Sequence, residues 1–169
     1  FSNTKRLPYK LTFQQMPNQK MPHRLKSILL IDDDEATNFV HTFAIKKADC
    51  TDSIITAQNG REALELLKSN KNKSTPQPNI IFLDINMPVM DGWEFLEEYE
   101  KLDKDQQGDV VLIMLTTSLN PDDVEKANTF STVNGFRNKP LTAAILAEIV
   151  DEFFPPNKEN TRVSWNELT

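Results

Sequence analysis

Ile28-Leu29-Leu30-Ile31-Asp32-Asp33-Asp34-Glu35 runs four apolar residues directly into four acids. An uninterrupted apolar run of this length suits a strand buried on both faces, as in parallel sheets. Adjacent carboxylates repel one another, so a fold keeps them together only where water, a helix end or a cation offsets the cost. Which of the three applies depends on what the rest of the chain brings to the same place.

Apolar runs of strand length recur, with helical patterns between them. Lys26–Asp32 is read as strand one, Ser53–Ala57 as strand two and Asn79–Leu83 as strand three. Val110–Leu115 forms strand four and Val133–Arg137 a weaker strand five. Helical spacing covers 35–48, with Ala36, Phe39, Val40 and Phe43 as its apolar stripe. A second helix starts at Asn59 or Gly60 and carries Ala63, Leu64, Leu66 and Leu67. Two more cover 92–101 and 121–129, and the last spans 142–154 with Ile145, Leu146, Ile149 and Phe153 on one face. Thr142 fits its N-cap, and Pro155-Pro156 stops it. The polar stretches 69–79 and 101–109 read as loops. Strands alternating with helices in this way predict an α/β fold, with a five-stranded parallel sheet between two helical layers. Ligands of such sheets bind at the carboxyl ends of the strands. What ends each strand therefore matters most.

The chain has 169 residues, enough for one domain with extensions. Residues 1–25 are read as a basic, flexible N-terminal extension, 26–154 as the folded domain and 155–169 as a polar tail. The first 26 residues hold Lys5, Arg6, Lys10, Lys20, Arg24 and Lys26 and no acid; the remainder carries 13 basic against 25 acidic residues. So acidic a body argues against direct nucleic-acid binding, because phosphates are repelled. No apolar run approaches the roughly 18 residues of a membrane helix, and the basic arm lacks the apolar core of a secretory signal. Cys50 is the single cysteine, which rules out an internal disulfide and fits a reducing cytoplasm. Together with His23 and His41 it does not make a usual zinc site. A start at Phe1 rather than Met points to a processed or trimmed piece.

Strand one ends in Asp32-Asp33 and strand three in Asp84. Strand four ends in Thr116-Thr117-Ser118, and Lys139-Pro140 closely follows strand five. A parallel sheet brings these ends to one edge. Clustered carboxylates there suit a hard cation such as Mg²⁺, which takes oxygen ligands at about 2.0–2.1 Å. An ammonium and a hydroxyl beside them suit a phosphoryl group. Asp84, standing alone after its strand, fits the nucleophile of an aspartyl-phosphate. Singly, each residue has a plainer reading. Asp34 and Glu35 fit a helix N-terminus, Asp32 and Asp33 fit either role, Asp91-Gly92 is a turn and Lys139 a surface lysine. Their joint occurrence at successive strand ends favours the constellation.

Four segments carry a resemblance: Ile28–Asp34, Phe82-Leu83-Asp84-Ile85-Asn86-Met87-Pro88-Val89-Met90-Asp91-Gly92, Ile113-Met114-Leu115-Thr116 and Lys139-Pro140. Together they resemble the receiver domain of two-component response regulators, of the chemotaxis-type stand-alone kind, over about residues 26–154. The resemblance implies a flavodoxin-like (βα)5 doubly wound fold with strand order 2-1-3-4-5. It implies that Asp84 accepts a phosphoryl group from a phosphohistidine on a sensor histidine kinase or histidine phosphotransfer protein. Asp33 and Asp84 would hold Mg²⁺ through side chains, Asn86 through its backbone carbonyl and Asp32 through water. Thr116 and Lys139 would contact phosphoryl oxygens. Phe136 falls where the family places its switch aromatic, although ordinary partial packing is a competing reading. The face of strand four, helix four (121–129) and strand five would then change its preference for a downstream protein target, with phosphorylation-dependent dimerisation a further option. Thr117 is larger than the residue usual at its position, and Asn86 and Ser118 flank the path of an attacking water.

The implied protein is a cytoplasmic switch rather than an enzyme, catalysing only its own phosphotransfer and autodephosphorylation. It stands alone without an output domain or, alternatively, is a fragment of a larger regulator or hybrid kinase. An aspartyl-phosphate phosphatase is the remote alternative, because Asn86 stands where such enzymes carry a second acid. Neither acidic segment has the glycine at position six of a calcium loop. His41 lies in a helical pattern away from the predicted strand ends, which argues against a Ser-His-Asp hydrolase.

Overall fold

The computed structural model describes residues 24–69, 77–117 and 120–155. The N-terminal arm before Arg24, the tail after Pro155, Ser118 and most of the 69–79 loop lie outside the described residues. The strands are β1 (Ile28–Ile31), β2 (Ile54–Ala57), β3 (Ile80–Asp84), β4 (Val111–Thr116) and β5 (Val133–Asn138). The helices are α1 (Glu35–Ala48), α2 (Gly60–Ser69), α3 (Gly92–Tyr99), α4 (Lys104–Gln107), α5 (Pro121–Ala127) and α6 (Ala143–Phe153). All pairings are parallel and the order is β2-β1-β3-β4-β5, so the expected doubly wound sheet is present.

Side chains alternate across β1 and β3, and each face has its own core. Leu29, Ile31, Ile81 and Leu83 meet Ala63 and Leu67 of α2, Phe95 and Tyr99 of α3 and Ala127 of α5. On the other face Ile28, Leu30, Ile80 and Phe82 meet Ile45 of α1 with Leu146, Ile149 and Val150 of α6. Central strands buried on both sides explain why their sequence is a continuous apolar run. No described helix is long and apolar enough to cross a membrane.

Three details depart from the sequence reading. The 101–109 stretch contains the short α4, tied back to α3 by Gln107, whose amide Nε2 donates to the Tyr99 carbonyl at 2.9 Å. Leu66 is exposed on the outer side of α2. The largest departure is α1. Its buried residues are Asn38, His41 and Ile45, whereas Phe39, Val40 and Phe43 are 74%, 47% and 63% exposed. The helix is rotated away from the apolar stripe. Asp34 caps it by accepting from the Ala36 N–H at 3.0 Å, and Asn38 Nδ2 donates to the Asp32 carbonyl at 2.7 Å. The Asp34 cap fixes where the helix starts at the surface, and the Asn38 bond holds the polar stripe inward, where it satisfies backbone just beyond the end of β1.

β5 is irregular. Leu112 pairs with Val133, but Ile113 pairs with Gly135, leaving Asn134 as an extra residue. Val133 and Phe136 are three residues apart yet pack against the same core, which a regular strand forbids. The bulge removes the conflict and turns Phe136 toward the α5 side.

Candidate functional site

The register fixes which residues meet at the carboxyl edge. Ile31 pairs with Leu83, Asp84 with Leu115, and Thr116 with Asn138. Asp32 therefore leaves β1 beside the end of β3, and Lys139 leaves β5 beside the end of β4. The Lys139 N–H donates to the Thr116 carbonyl at 2.7 Å, which anchors the lysine at the edge. A cis peptide bond joins Lys139 to Pro140.

Lys139 is far from a solvated surface lysine. Its Nζ lies 2.5 Å from Asp32 Oδ2 and 2.8 Å from Asp84 Oδ1, with all three side chains nearly buried. Carboxylate oxygens of Asp32, Asp33 and Asp84 fall within 4.8 Å of one another, Asp33 being the exposed member. Asp32 Oδ1 also accepts from the Asp34 N–H at 3.0 Å. Burial pushes the Asp84 carboxyl above its usual range, and the Lys139 ammonium opposes that rise. Burial acts against the Lys139 ammonium too, but the bonds to Asp32 and Asp84 outweigh it and its pKa is raised. One ammonium facing three carboxylates leaves negative charge at the edge. That donor set of hard oxygens fits a small divalent cation.

The loop after Asp84 is held close. The Gly92 N–H donates to the Ile85 carbonyl at 2.8 Å. A Cβ at Gly92 would stand 2.4 Å from the Asp84 carbonyl oxygen, so no larger residue fits there without moving the loop. Asp91 is more than a turn residue. It caps α3 in a capping box with Glu94, bonded at 2.8 and 3.0 Å in the two directions.

The structure thus brings Asp32, Asp33, Asp84 and Lys139 together, with Thr116 buried at the end of the adjacent strand. Asn86 is exposed two residues beyond Asp84, and Thr117 is exposed beside Thr116. Phe136 is outside this cluster, half-buried against the α5 side beside Val124, Ala127 and Asn128. Two residues escaped the sequence reading. Asn38 fastens the Asp32 backbone, as described above. His41, expected to be remote, lines a mostly apolar cavity of about 340 Å³ with Val40, Thr117, Lys139 and Pro140. Burial lowers its pKa, Asp32 opposes this and Lys139 adds to it. The available signal was the polar i, i+3 pair behind the acidic run, which an apolar count ignores.

Comparison with known proteins agrees with this geometry. Residues 28–151 match the model of the response regulator receiver domain. Response regulator Rcp1 of Synechocystis is 34% identical over 59% of this chain and 67% of its own length. A two-component response regulator from Cytophaga hutchinsonii has a solved structure with TM-score 0.71 and 30% identity, covering 78% of this chain and 98% of its own. The Mn²⁺-bound form of response regulator Rcp1 superposes with TM-score 0.61 at 27% identity, over 78% of this chain and 96% of its own. Hybrid signal transduction histidine kinase I of Dictyostelium discoideum is 24% identical over 90% of this chain, which spans only 9% of that kinase. On the match to residues 28–151 and the fold that carries it, this chain belongs to the response regulator receiver domain family.

Proposed function

We propose that this receiver takes a phosphoryl group onto Asp84 from a phosphohistidine of a histidine kinase or histidine phosphotransfer protein. A carboxylate oxygen of Asp84 attacks phosphorus, the phosphorus–nitrogen bond breaks, and its electron pair returns to the donor imidazole. The product is an aspartyl-phosphate. The observation that carries this reading is the Lys139 ammonium bridging Asp32 and Asp84 among three convergent carboxylates.

Asp32, Asp33, Asp84 and the Asn86 carbonyl would hold Mg²⁺, whose positive charge offsets that of the phosphoryl oxygens. The chain's own groups do the rest. Lys139 keeps Asp84 ionised against the cost of burial, then pairs with a phosphoryl oxygen. Thr116 donates its hydroxyl to another. That pull on Thr116 opens space toward which Phe136 turns, shifting the population of the β4–α5–β5 face that a downstream protein reads. Beyond phosphotransfer to itself and its own dephosphorylation, the domain turns over no substrate. A Mn²⁺-bound relative and a hybrid histidine kinase among the relatives support the metal and the donor class.

Incubation with Mg²⁺ and acetyl phosphate should add one phosphoryl group to Asp84, read by intact mass and by peptide mapping after reductive trapping. Asp84→Asn should take up none. Equal labelling of the variant would remove Asp84 as the acceptor.

A further inference from the structure

The three carboxylates of the site are not held alike. Lys139 pairs with both Asp32 and Asp84. Asp33, the exposed member, has no side-chain hydrogen bond or ion pair among the described residues, yet its carboxylate lies within 4.8 Å of the other two. Only the backbone aims it. What fixes that backbone therefore decides whether the third oxygen donor is in place.

One planar peptide unit joins the Asp32 carbonyl to Asp33, so the orientation of that carbonyl sets the plane from which the Asp33 side chain leaves. The Asp32 N–H is still held by the sheet, donating to the Ala57 carbonyl at 3.0 Å. The Asp32 carbonyl lies past the end of the β1 ladder and accepts from Asn38 Nδ2 at 2.7 Å instead. Asn38 is itself firmly placed. Its own N–H donates to the Asp34 carbonyl at 2.9 Å, and its side chain is nearly buried on the inward stripe of α1. One side-chain amide thus closes the turn between β1 and α1.

We propose that Asn38 is a positioning residue for the divalent cation: by holding the Asp32–Asp33 peptide it keeps the otherwise unsupported Asp33 carboxylate turned toward Asp84. The proposal rests on the metal-assisted phosphotransfer argued above and adds a residue outside the ligand set. The chemistry of the place asks for an amide. Its donor meets the carbonyl without adding charge beside the carboxylates, whereas an ammonium would compete with the cation and a carboxylate would repel the carbonyl oxygen. The plainer account is that the bond only satisfies a buried carbonyl. The two accounts differ in consequence: satisfaction alone affects stability, whereas positioning affects metal affinity through Asp33.

The test titrates the full, unphosphorylated chain with Mn²⁺, reading free ion by electron paramagnetic resonance with no phosphodonor present. Asn38→Leu keeps the size of the side chain and removes the donor. It should weaken Mn²⁺ binding by about 10–100-fold, the usual effect of losing a partner that orients a ligand. Phe39→Ala, on the outer side of the same turn, should leave the affinity unchanged. In an Asp33→Asn background the Asn38 substitution should cost less than about threefold, because the carboxylate it orients is already gone. Thermal melting followed by circular dichroism establishes that each variant is folded during titration. Asn38→Ala, which leaves room for water at the carbonyl, replaces Asn38→Leu if the latter does not melt cooperatively. Parental affinity in the folded Asn38 variant overturns the proposal. So does an equal loss in both backgrounds, which makes the bond a support of the fold alone. Both results leave the metal-assisted reading standing, whereas a parent that binds no Mn²⁺ overturns that reading and this proposal together.

Discussion

Val89 sits at φ 71° on the loop between Asp84 and α3, with its side chain exposed. A β-branched residue in the left-handed region is strained, typically by about 1–3 kcal/mol, and solvent exposure gives no packing in return. Its neighbours hold the loop: the Met90 carbonyl accepts from the Gly60 N–H at 3.1 Å, and Met87 is buried. Val89→Asn should therefore stabilise the domain by about 1 kcal/mol, since asparagine tolerates this conformation without glycine's freedom in the unfolded chain. A urea midpoint that falls in the variant would contradict the strain. The convergence of Asp32, Asp33 and Asp84 was legible because β1 and β3 before them are apolar runs that read as buried strands, whereas Lys139 follows a strand whose sequence is only weakly apolar. Asp33 and Asp84 need only that rule and a parallel sheet; Lys139 needs the pairing of β5 with β4 as well. Val89 was not legible as strained, because φ is set by how the loop closes over Asp84 and not by its own type.

Between elements, the β4–β5 bulge decides where Phe136 points. Asn134 has a second task there: its Oδ1 accepts the Leu112 N–H at 2.8 Å, satisfying a donor that the register shift takes out of the ladder. Asn134→Ala leaves that N–H without its partner beside a fully buried residue, which should cost about 1–3 kcal/mol. Chemical denaturation measures it, and a loss below a few tenths would mean that water replaces the amide. The sequence shows β5 as weak but cannot show the bulge, which exists to keep both Val133 and Phe136 on one core. α1 fails for a different reason. Periodicity located the helix correctly and then chose the wrong stripe, because it weighs apolar residues and not the polar bond of Asn38. Burying Phe39 and Phe43 would contribute roughly 1.5–3 kcal/mol each.

The sheet separates two cores, and each holds one titratable group that burial keeps neutral. Cys50 lies on the α1–α6 side, fully buried, with its thiol pushed up to about 11 from 9.0. Tyr99 lies on the α2–α3 side, stacked on Phe95 with ring centroids 5.5 Å apart, and burial pushes its phenol up to about 12 from 10.0. Its hydroxyl donates to the Gln107 carbonyl at 3.1 Å, which also ties down α4. In both cases the folded chain binds the proton more tightly than the unfolded chain. Stability from this source is complete below pH 9 and is lost as pH rises through about 11 and then 12. Two pH units correspond to about 3 kcal/mol, so the combined alkaline loss is comparable to a large part of an ordinary domain's stability. Lys139, whose pKa its bonds to Asp32 and Asp84 raise, acts in the same direction. Substitution separates the contributions. Tyr99→Phe should start less stable, for want of the Gln107 bond, yet lose less stability between pH 10 and 12 than the parent. Cys50→Ala should flatten the range from pH 9 to 11 instead. Urea midpoints at a series of alkaline pH values give both slopes. If Tyr99→Phe keeps the parent's slope, the phenol titrates in the folded state as freely as in the unfolded one, and the core on the α2–α3 side admits water.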